Sequence, residues 1–251
     1  MAEYLYKYYP IVEYALASLE REEVCFNSMK AFNDNQEGKF HMAARESGVY
    51  DLHEKLAERI GEEYSEKIIF QYRILSLTTK FNMKYMWEKY AQNGTGFCIE
   101  YQYQDLINIS TDVDKIEYFS EKEPNAYFED PIHMLDWNRE LCKILFTKEE
   151  KWKNECEVRL THIITSDLFE PVDINEFLEK WNNDSEYEYW SEFITKKHFK
   201  CPKRIMKKCI PNKIYLGPYM SEENENRIKQ ILSGRPYTFE KITDADFKLM
   251  E

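Results

Sequence analysis

A turn leads directly into a strand in the stretch Asn93-Gly94-Thr95-Gly96-Phe97-Cys98-Ile99-Glu100-Tyr101. Asparagine and glycine are typical of tight turns, and Phe97, Ile99 and Tyr101 then alternate onto one side of an extended chain. Residues 82–91, just before the turn, have the apolar spacing of a helix. A helix, a turn and a strand therefore follow one another at the centre of the predicted fold.

The same periodicities extend outward in both directions. Alternating or β-branched stretches predict strands at residues 4–9, 24–26, 72–78, 97–103, 115–119, 155–164 and 213–216. Helical spacing predicts helices at residues 11–19, 52–69, 82–91, 132–146, 174–181, 188–198 and 221–232. Strands and helices mix without strict alternation, so we expect an α+β fold with a central mixed or split β-sheet and flanking helices. No internal repeat or low-complexity linker divides the chain, which favours a single domain over residues 1–251.

The composition limits the classes to which the chain can belong. Its 251 residues are 43% hydrophobic and 16% aromatic, which is enough for a packed core. The first ten residues lack the apolar run of a signal peptide, and no window approaches the roughly 20 apolar residues of a membrane helix. We therefore expect a cytoplasmic protein that does not bind a membrane. Cysteines without a Cys-x-x-Cys pair and scattered histidines give no zinc-ligand spacing, and no metal site is predicted.

Glycine is scarce, with only seven residues in the chain. Neither the Gly-x-Gly-x-x-Gly fingerprint of dinucleotide-binding folds nor a phosphate loop ending in Gly-Lys-Ser/Thr can be built from them. If the protein binds a nucleotide, side chains have to hold it.

Charge is distributed unevenly along the chain. The formal net charge is −12, yet residues 193–220 contain eight Lys and Arg and no Asp or Glu. One interpretation is a basic surface for a nucleic acid or another anion. Its candidate residues are Lys200, Lys203, Arg204, Lys207 and Lys208. The alternative is a solvated surface whose charge is balanced by the acidic residues at 167–192.

The strongest local candidate for chemistry is the stretch Trp152-Lys153-Asn154-Glu155-Cys156-Glu157-Val158-Arg159-Leu160. In a strand, a period of two puts Glu155, Glu157 and Arg159 on one face. A carboxylate in such a cluster can accept a hydrogen bond from a sugar hydroxyl or stabilise a developing cation, while the arginine keeps it ionised. The alternative is a solvated sheet face with a Glu–Arg pair.

Two other groups of residues offer weaker signals. Ser76 and Thr78 share one face at the end of a predicted strand, where their hydroxyls can orient a ribose or support a carboxylate. Trp87 and Tyr90 lie at helical spacing and are either core residues or aromatic partners for a nicotinamide or a base. No Ser-His-acid or Cys-His arrangement is identifiable, so nucleophilic hydrolysis has no support.

Five motifs occur in an order that resembles a bacterial and phage family, domain of unknown function 2971, over about residues 4–247. The motifs are Leu5-Tyr6-Lys7-Tyr8, residues 26–34, residues 86–91 continuing into 96–101, residues 152–159, and Ile210-Pro211-Asn212-Lys213-Ile214-Tyr215-Leu216-Gly217. More distantly, the chain looks like the ADP-ribosyltransferase superfamily, which has an early basic strand, a middle strand with hydroxyls and a late Glu-x-Glu strand.

This second resemblance implies an ADP-ribosyltransferase-like fold and NAD as the substrate. By its motif, Glu157 would be the catalytic glutamate and Glu155 the acid that orients the substrate, while Ser76 and Thr78 would form the middle element. Trp87 or Tyr90 would flank the nicotinamide. The acceptor would be a protein or nucleic acid, or water in an NAD glycohydrolase, and the family resemblance implies a role in phage–bacterium conflict.

The first motif departs from the family pattern. Members carry an arginine after Tyr-Lys-Tyr, and here Tyr9 follows Tyr8. Both tyrosines are candidate cofactor-binding residues. If that arginine anchors NAD, its role would pass to Lys7, Arg73 or Arg159, and a lysine would supply a point charge instead of a planar fork.

Two hypotheses from other classes stay open. One is a non-enzymatic module that binds nucleic acid or a partner through residues 196–213. The other is a nuclease in which Asp and Glu side chains hold a divalent metal.

Overall fold

A computed structural model of the chain describes residues 3–32, 72–119, 145–164, 170–171, 199–200 and 204–247. The strands in this part of the chain are β1 Tyr4–Tyr9, β2 Glu23–Asn27, β3 Tyr72–Thr78, β4 Phe97–Gln102, β5 Asp112–Lys115, β6 Glu117–Phe119, β7 Thr147–Glu149, β8 Glu157–Ile163, β9 Glu170–Pro171, β10 Phe199–Lys200, β11 Arg204–Lys208, β12 Lys213–Leu216 and β13 Thr238–Lys241. The α-helices are α1 Glu13–Arg21, α2 Lys84–Tyr90, α3 Tyr103–Asn108 and α4 Glu222–Ile231. Short 3₁₀ helices span Met29–Ala31, Glu150–Glu155 and Asp244–Asp246.

Nine of the described strands form one mixed sheet. The main path runs β11-β2-β3-β1-β4-β12-β13, and β8 and β5 extend the sheet from β3. β12 and β13 are parallel, whereas the other pairs of this sheet are antiparallel. The predicted α+β class with a central mixed sheet and flanking helices is confirmed.

Strand β3 is the junction of the sheet. One of its edges pairs with β8 along its whole length. Its other edge meets β2 only at the pair Asn27 and Ile74, and β1 only at the pair Tyr6 and Thr78. Between these points the Nζ atom of Lys7 donates a hydrogen bond to the backbone oxygen of Ser76, at 2.7 Å. A lysine side chain is thus hydrogen-bonded to the backbone of β3 at the point where β1 and β2 diverge along its edge.

Helices cover both faces of the sheet. On one face, Leu16 and Leu19 of α1 and Ile228 of α4 belong to the larger apolar cluster, with the inward side chains of β1 to β4 and β8. On the other face, Met86 and Trp87 of α2 pack in a second cluster with Tyr8, Cys98 and Tyr215. The alternation of side chains along each strand separates these two clusters.

The ends of the helices follow from local sequence. Helix α4 has Ser221 as its N-cap, whose side chain accepts a hydrogen bond from the Asn224 amide, and acidic residues fill its first turn. The helix predicted at residues 221–232 is therefore confirmed. Helix α1 begins two residues later than predicted, after Val12 in extended conformation, and ends at Glu22 with φ of 56°. None of the helices in the described ranges has the length and hydrophobicity that a bilayer crossing requires.

Two glycines allow a close backbone approach next to α2. A Cβ atom on Gly96 would lie 2.2 Å from the Tyr9 oxygen, and one on Gly217 would lie 2.1 Å from the Gly94 oxygen. The turn at residues 93–96 was predicted from its sequence, but this contact with the end of β12 was not. Two of the seven glycines, Gly96 and Gly217, thus lie where two backbone segments are in direct contact.

Some predicted elements differ from those observed. Residues 115–119 were predicted as one strand, but the chain forms β5 and β6 with a break at the buried Ile116. Strands β11 and β13 were not predicted, because charged side chains dominate both. The helices predicted at residues 52–69, 174–181 and 188–198, and nearly all of the one at 132–146, lie outside the described residues.

Candidate active site

Glu155 and Glu157 approach each other through a turn rather than through strand alternation. Glu155 ends the 3₁₀ helix, Cys156 adopts a left-handed conformation with φ of 45°, and Glu157 is the first residue of β8. The predicted strand at residues 155–164 is therefore wrong at its start, because the helical turn continues up to Glu155. Both glutamates are only 4% exposed.

One lysine bridges the two carboxylates. The Nζ atom of Lys148, on β7, donates to Oε2 of Glu155 at 2.8 Å and to Oε2 of Glu157 at 2.9 Å. Lys148 is itself 7% exposed, so this ion pair is shielded from water. No sequence pattern points to Lys148, because Thr147-Lys148-Glu149 looks like any charged surface segment.

The other oxygens of the two glutamates have separate partners. Oε1 of Glu155 accepts hydrogen bonds from the hydroxyl of Tyr90 and from Nζ of Lys89, the latter at 3.0 Å. Oε1 of Glu157 accepts from Nε of Arg159 at 3.1 Å. We call Glu155, Glu157, Lys89, Lys148 and Arg159 the cation–carboxylate cluster; three positive charges meet two negative ones there.

The cluster keeps Glu157 ionised. Burial by itself would raise the pKa of Glu157, but Arg159 and Lys148, with a hydrogen bond from Ser76, lower that pKa to about 2. The backbone amide of Glu157 also donates to the hydroxyl of Tyr118 at 3.0 Å. At neutral pH the protein therefore holds a buried carboxylate anion at the start of β8.

The hydroxyls predicted to support this glutamate lie beside it. In the register of β3 and β8, Ser76 is opposite Arg159 and Thr78 is opposite Glu157. Directly paired residues share a face of the sheet, so these side chains face the cluster. Thr78 is fully buried, and its Oγ1 atom has no hydrogen-bond partner among the residues that the structure describes. A buried hydroxyl without a partner is free to bind a polar group.

The candidate anchors for NAD fall into different places. Arg159 lies in the cluster, while Lys7 donates to Ser76 in the split of the sheet. Burial lowers the pKa of Lys7, and the charge of Glu157 acts in the opposite direction. Arg73 lies opposite His162 and alternates onto the face of the larger apolar cluster, away from Ser76.

The aromatic candidates are mostly core residues. Tyr9 stacks on Phe97 in the larger apolar cluster, with ring centroids 5.3 Å apart. Tyr8 packs edge-on against Trp87, which is fully buried and donates its Nε1 hydrogen to the Phe81 oxygen. Of the predicted aromatic residues, the structure brings only Tyr90 to the cluster.

The basic segment forms an edge strand. Residues 204–208 are β11, which pairs with β2, and Arg204 and Lys208 are exposed while Lys207 is half-buried. The side chain of Lys208 donates to the backbone oxygen of Arg21. Lys203 and the side chain of Lys200 lie outside the described residues.

A second buried glutamate has a different environment. Glu100 on β4 is 6% exposed and accepts hydrogen bonds from the hydroxyl of Tyr215 at 3.0 Å and from the Asn212 amide at 2.5 Å. Burial raises the pKa of Tyr6, and a hydrogen bond to Glu100 adds to that rise. The neighbouring Lys213 forms its ion pair with Glu240 instead. We call Glu100, Tyr6, Asn212 and Tyr215 the phenol–carboxylate cluster.

The described ranges contain no group of three His, Cys, Asp or Glu side chains arranged to hold a metal ion. The nuclease hypothesis therefore gains no support from this part of the chain.

Residues 86–160 match the family model described as a protein of unknown function (DUF2971). The match confirms the resemblance to domain of unknown function 2971. The segment that fits the DUF2971 model contains Tyr90 and all five residues of the cation–carboxylate cluster, Lys89, Lys148, Glu155, Glu157 and Arg159. No curated protein and no solved structure matches the chain significantly.

Proposed function

We propose that the protein cleaves the nicotinamide–ribose bond of NAD and acts as an ADP-ribosyltransferase or an NAD glycohydrolase. The observation that carries this proposal is Glu157: a buried carboxylate, ionised at neutral pH, beside the hydroxyls of Ser76 and Thr78. The distant resemblance to ADP-ribosyltransferases and the split at β3 agree with it. A role in phage–bacterium conflict belongs to the same proposal.

The reaction needs a negative charge at the ribose. The bond between ribose C1′ and the nicotinamide nitrogen breaks, and its electron pair leaves with nicotinamide. Positive charge develops on the ribose, where the Glu157 carboxylate stabilises it. Water or an acceptor group then bonds to C1′ and releases its proton to solvent. Glu155 orients the substrate, and the Thr78 hydroxyl, which has no hydrogen-bond partner in the described part of the chain, meets a ribose hydroxyl.

The diphosphate of NAD needs a cation that solvent can reach. Within the cluster, the side chain of Lys89 is 25% exposed, whereas those of Lys148 and Arg159 are nearly or fully buried. The Lys89 ammonium also lies 3.8 Å from the centre of the Trp152 ring. In this proposal Lys89 is the residue that binds the diphosphate. Tyr9 and Arg73 lie on the opposite face of the sheet and do not supply this contact.

The deciding experiment incubates the protein with NAD labelled in its adenylate half, alone and with protein, RNA and DNA acceptors. Release of nicotinamide with label on an acceptor identifies a transferase, and release without transfer identifies a glycohydrolase. Glu157→Gln should abolish either activity. Glu100→Gln is the matched control, because it removes an equally buried carboxylate outside the cation–carboxylate cluster. No release by the wild type, or equal activity of Glu157→Gln, would reject the proposal.

One observation favours a second candidate, nucleic-acid binding through β11. Arg204 and Lys208 are exposed on one face of this strand, and in the described part of the chain only β2 pairs with it. Binding of RNA or DNA at low salt should weaken when Lys203, Arg204, Lys207 and Lys208 are changed to Glu, and Glu157→Gln should leave it unchanged. Absence of binding at low salt would reject this candidate.

A further inference from the structure

Lys148 is the residue that joins the two glutamates, although it comes from neither of their elements. It lies on β7, Glu155 ends the 3₁₀ helix and Glu157 begins β8. An ammonium group has three hydrogens to donate, and two of them are used on these carboxylates. Since both Oε2 atoms lie within 2.9 Å of one nitrogen, the two carboxylates are immediate neighbours.

Two neighbouring carboxylates cannot both stay ionised without a compensating charge. Like charges at this separation raise the pKa of one partner, and burial acts in the same direction. Lys89 and Arg159 each serve one glutamate, on its outer oxygen. The Lys148 ammonium is hydrogen-bonded to both inner oxygens.

We infer that Lys148 is a positioning residue, which holds the carboxylates of Glu155 and Glu157 side by side so that they face the same reacting group. Its catalytic meaning rests on the proposed function, whereas its effect on the two glutamates does not. Lys148 does not have to contact the substrate: it fixes where both carboxylates lie and places a positive charge between them.

Other charged and titratable groups face this pair and contribute to its ionisation. Lys7 from β1 and Lys148 from β7 act on Glu157 together with Arg159 from β8, and Tyr118 from β6 bonds the Glu157 amide. Lys89 and Tyr90 from α2 bond Glu155. Because these groups remain when Lys148 is replaced, its loss should shift the titration of Glu157 without making Glu157 neutral at pH 7.

The test replaces Lys148 by Met, which keeps the length of the side chain but removes the charge, and by Arg, which keeps the charge. Lys151→Met is the matched control, because Lys151 is a nearby, more exposed lysine whose ion pair is with Glu149. Carbon-13 NMR of the glutamate carboxyls then gives the pH midpoint of Glu157 in each variant, whether or not the protein has enzymatic activity.

We expect the Glu157 midpoint to rise by about one pH unit or more in Lys148→Met, and to stay near the wild-type value in Lys148→Arg and Lys151→Met. An unchanged midpoint in Lys148→Met would overturn the inference. If that variant does not fold, the test uses the wild type. The ¹⁵Nζ chemical shift of Lys148 should change with pH at the same midpoint as the Glu157 carboxyl. A Lys148 shift that does not change at that midpoint would also overturn the inference.

Enzyme kinetics separates this inference from the proposed function. If the wild type releases nicotinamide, the acid limb of kcat against pH should move upward in Lys148→Met and return in Lys148→Arg, with KM for NAD changed less than kcat. If the wild type releases none, the proposed function fails, and the NMR midpoints still test the role of Lys148.

Discussion

The cation–carboxylate cluster and the phenol–carboxylate cluster solve the same physical problem with opposite chemistry. Glu157 and Glu100 are almost equally buried, and they lie in one row across the sheet, because Glu157 pairs with Thr78, Thr78 with Tyr6 and Tyr6 with Glu100. Phenols and an amide surround Glu100, whereas lysine and arginine surround Glu157.

Neutral hydrogen-bond donors are enough to hold a single carboxylate in place. A carboxylate that stays charged beside a second carboxylate also needs positive charge nearby. Neutral donors satisfy the lone pairs of Glu100 and bring no compensating positive charge to the site. Around Glu155 and Glu157 the cations outnumber the carboxylates, although hydrogen bonds from neutral groups would also satisfy the oxygens. An arrangement with excess positive charge is suited to an anionic ligand, and this contrast supports the proposal that the reaction takes place at the Glu157 end of the row.

The largest expected effect comes from removing the charge of Glu157. Glu157→Gln leaves Lys148 and Arg159 buried with one counter-charge fewer, and should lower the free energy of unfolding by about 3 kcal/mol or more. Glu100→Gln removes no partner of a cation and should cost about 1–2 kcal/mol. Urea denaturation of both variants measures the difference. Equal losses would show that the two environments are energetically alike.

Acid should act on the two clusters unequally. The pKa of Glu157 falls from an ordinary 4.5 to about 2 in the folded protein, so the stability that this shift provides is present above pH 4.5 and is lost as the pH falls towards 2. The loss amounts to about 3 kcal/mol over that interval. Thermal unfolding from pH 6 to pH 2 should show it in the wild type and in Glu100→Gln. Its persistence in Glu157→Gln would assign the acid sensitivity to other groups.

Removal of a single tyrosine hydroxyl should destabilise the phenol–carboxylate cluster more than the cation–carboxylate cluster, the reverse of the order expected for the glutamate variants. Tyr215→Phe removes one of the neutral donors on which Glu100 depends, with an expected cost of about 1.5 kcal/mol. Tyr90→Phe removes a donor from Glu155, which keeps Lys89 and Lys148, and should cost less than about 1 kcal/mol. Chemical denaturation resolves this difference. A larger loss of unfolding free energy in Tyr90→Phe than in Tyr215→Phe would contradict the view that Lys89 and Lys148 are the main partners that stabilise Glu155.

The smallest effect is expected at an exposed pair, which provides the baseline for the comparison. Lys84 and Glu88 on α2 are separated by 3.8 Å, with both side chains more than half exposed. Lys84→Ala should change the free energy of unfolding by no more than about 0.5 kcal/mol, because water screens such pairs. A loss comparable to that of Glu157→Gln would mean that charge deletion as such, rather than burial, destabilises the protein.

Sequence periodicity predicted much of the sheet. Strands β1, β3 and β12 have the predicted bounds, because aromatic and β-branched residues alternate there. Strand β11 escaped prediction since its lysines and arginine suggest solvent, although Ile205 alternates into the core. The single-domain organisation stays a prediction.

The sequence predicted several residues of the cation–carboxylate cluster but not their geometry. Glu155, Glu157, Arg159 and Ser76 do meet, yet Glu155 arrives through the left-handed Cys156, a conformation that no local pattern indicates for a cysteine. Lys148 was missed because only the tertiary fold brings β7 against β8. The identity of a bridging cation depends on such long-range contacts, and single-sequence patterns do not contain them.

The junction at β3 also has a consequence for how the chain folds. Its partners are β1 and β2, far upstream, and β8, far downstream; the contact between Lys7 and Ser76 alone spans 69 residues. Contacts between distant parts of a sequence carry a large loop-closure entropy and slow folding. During synthesis, the strand at the centre of the sheet has to wait for β8 before its second edge is covered, and until then this edge is exposed to association with other chains.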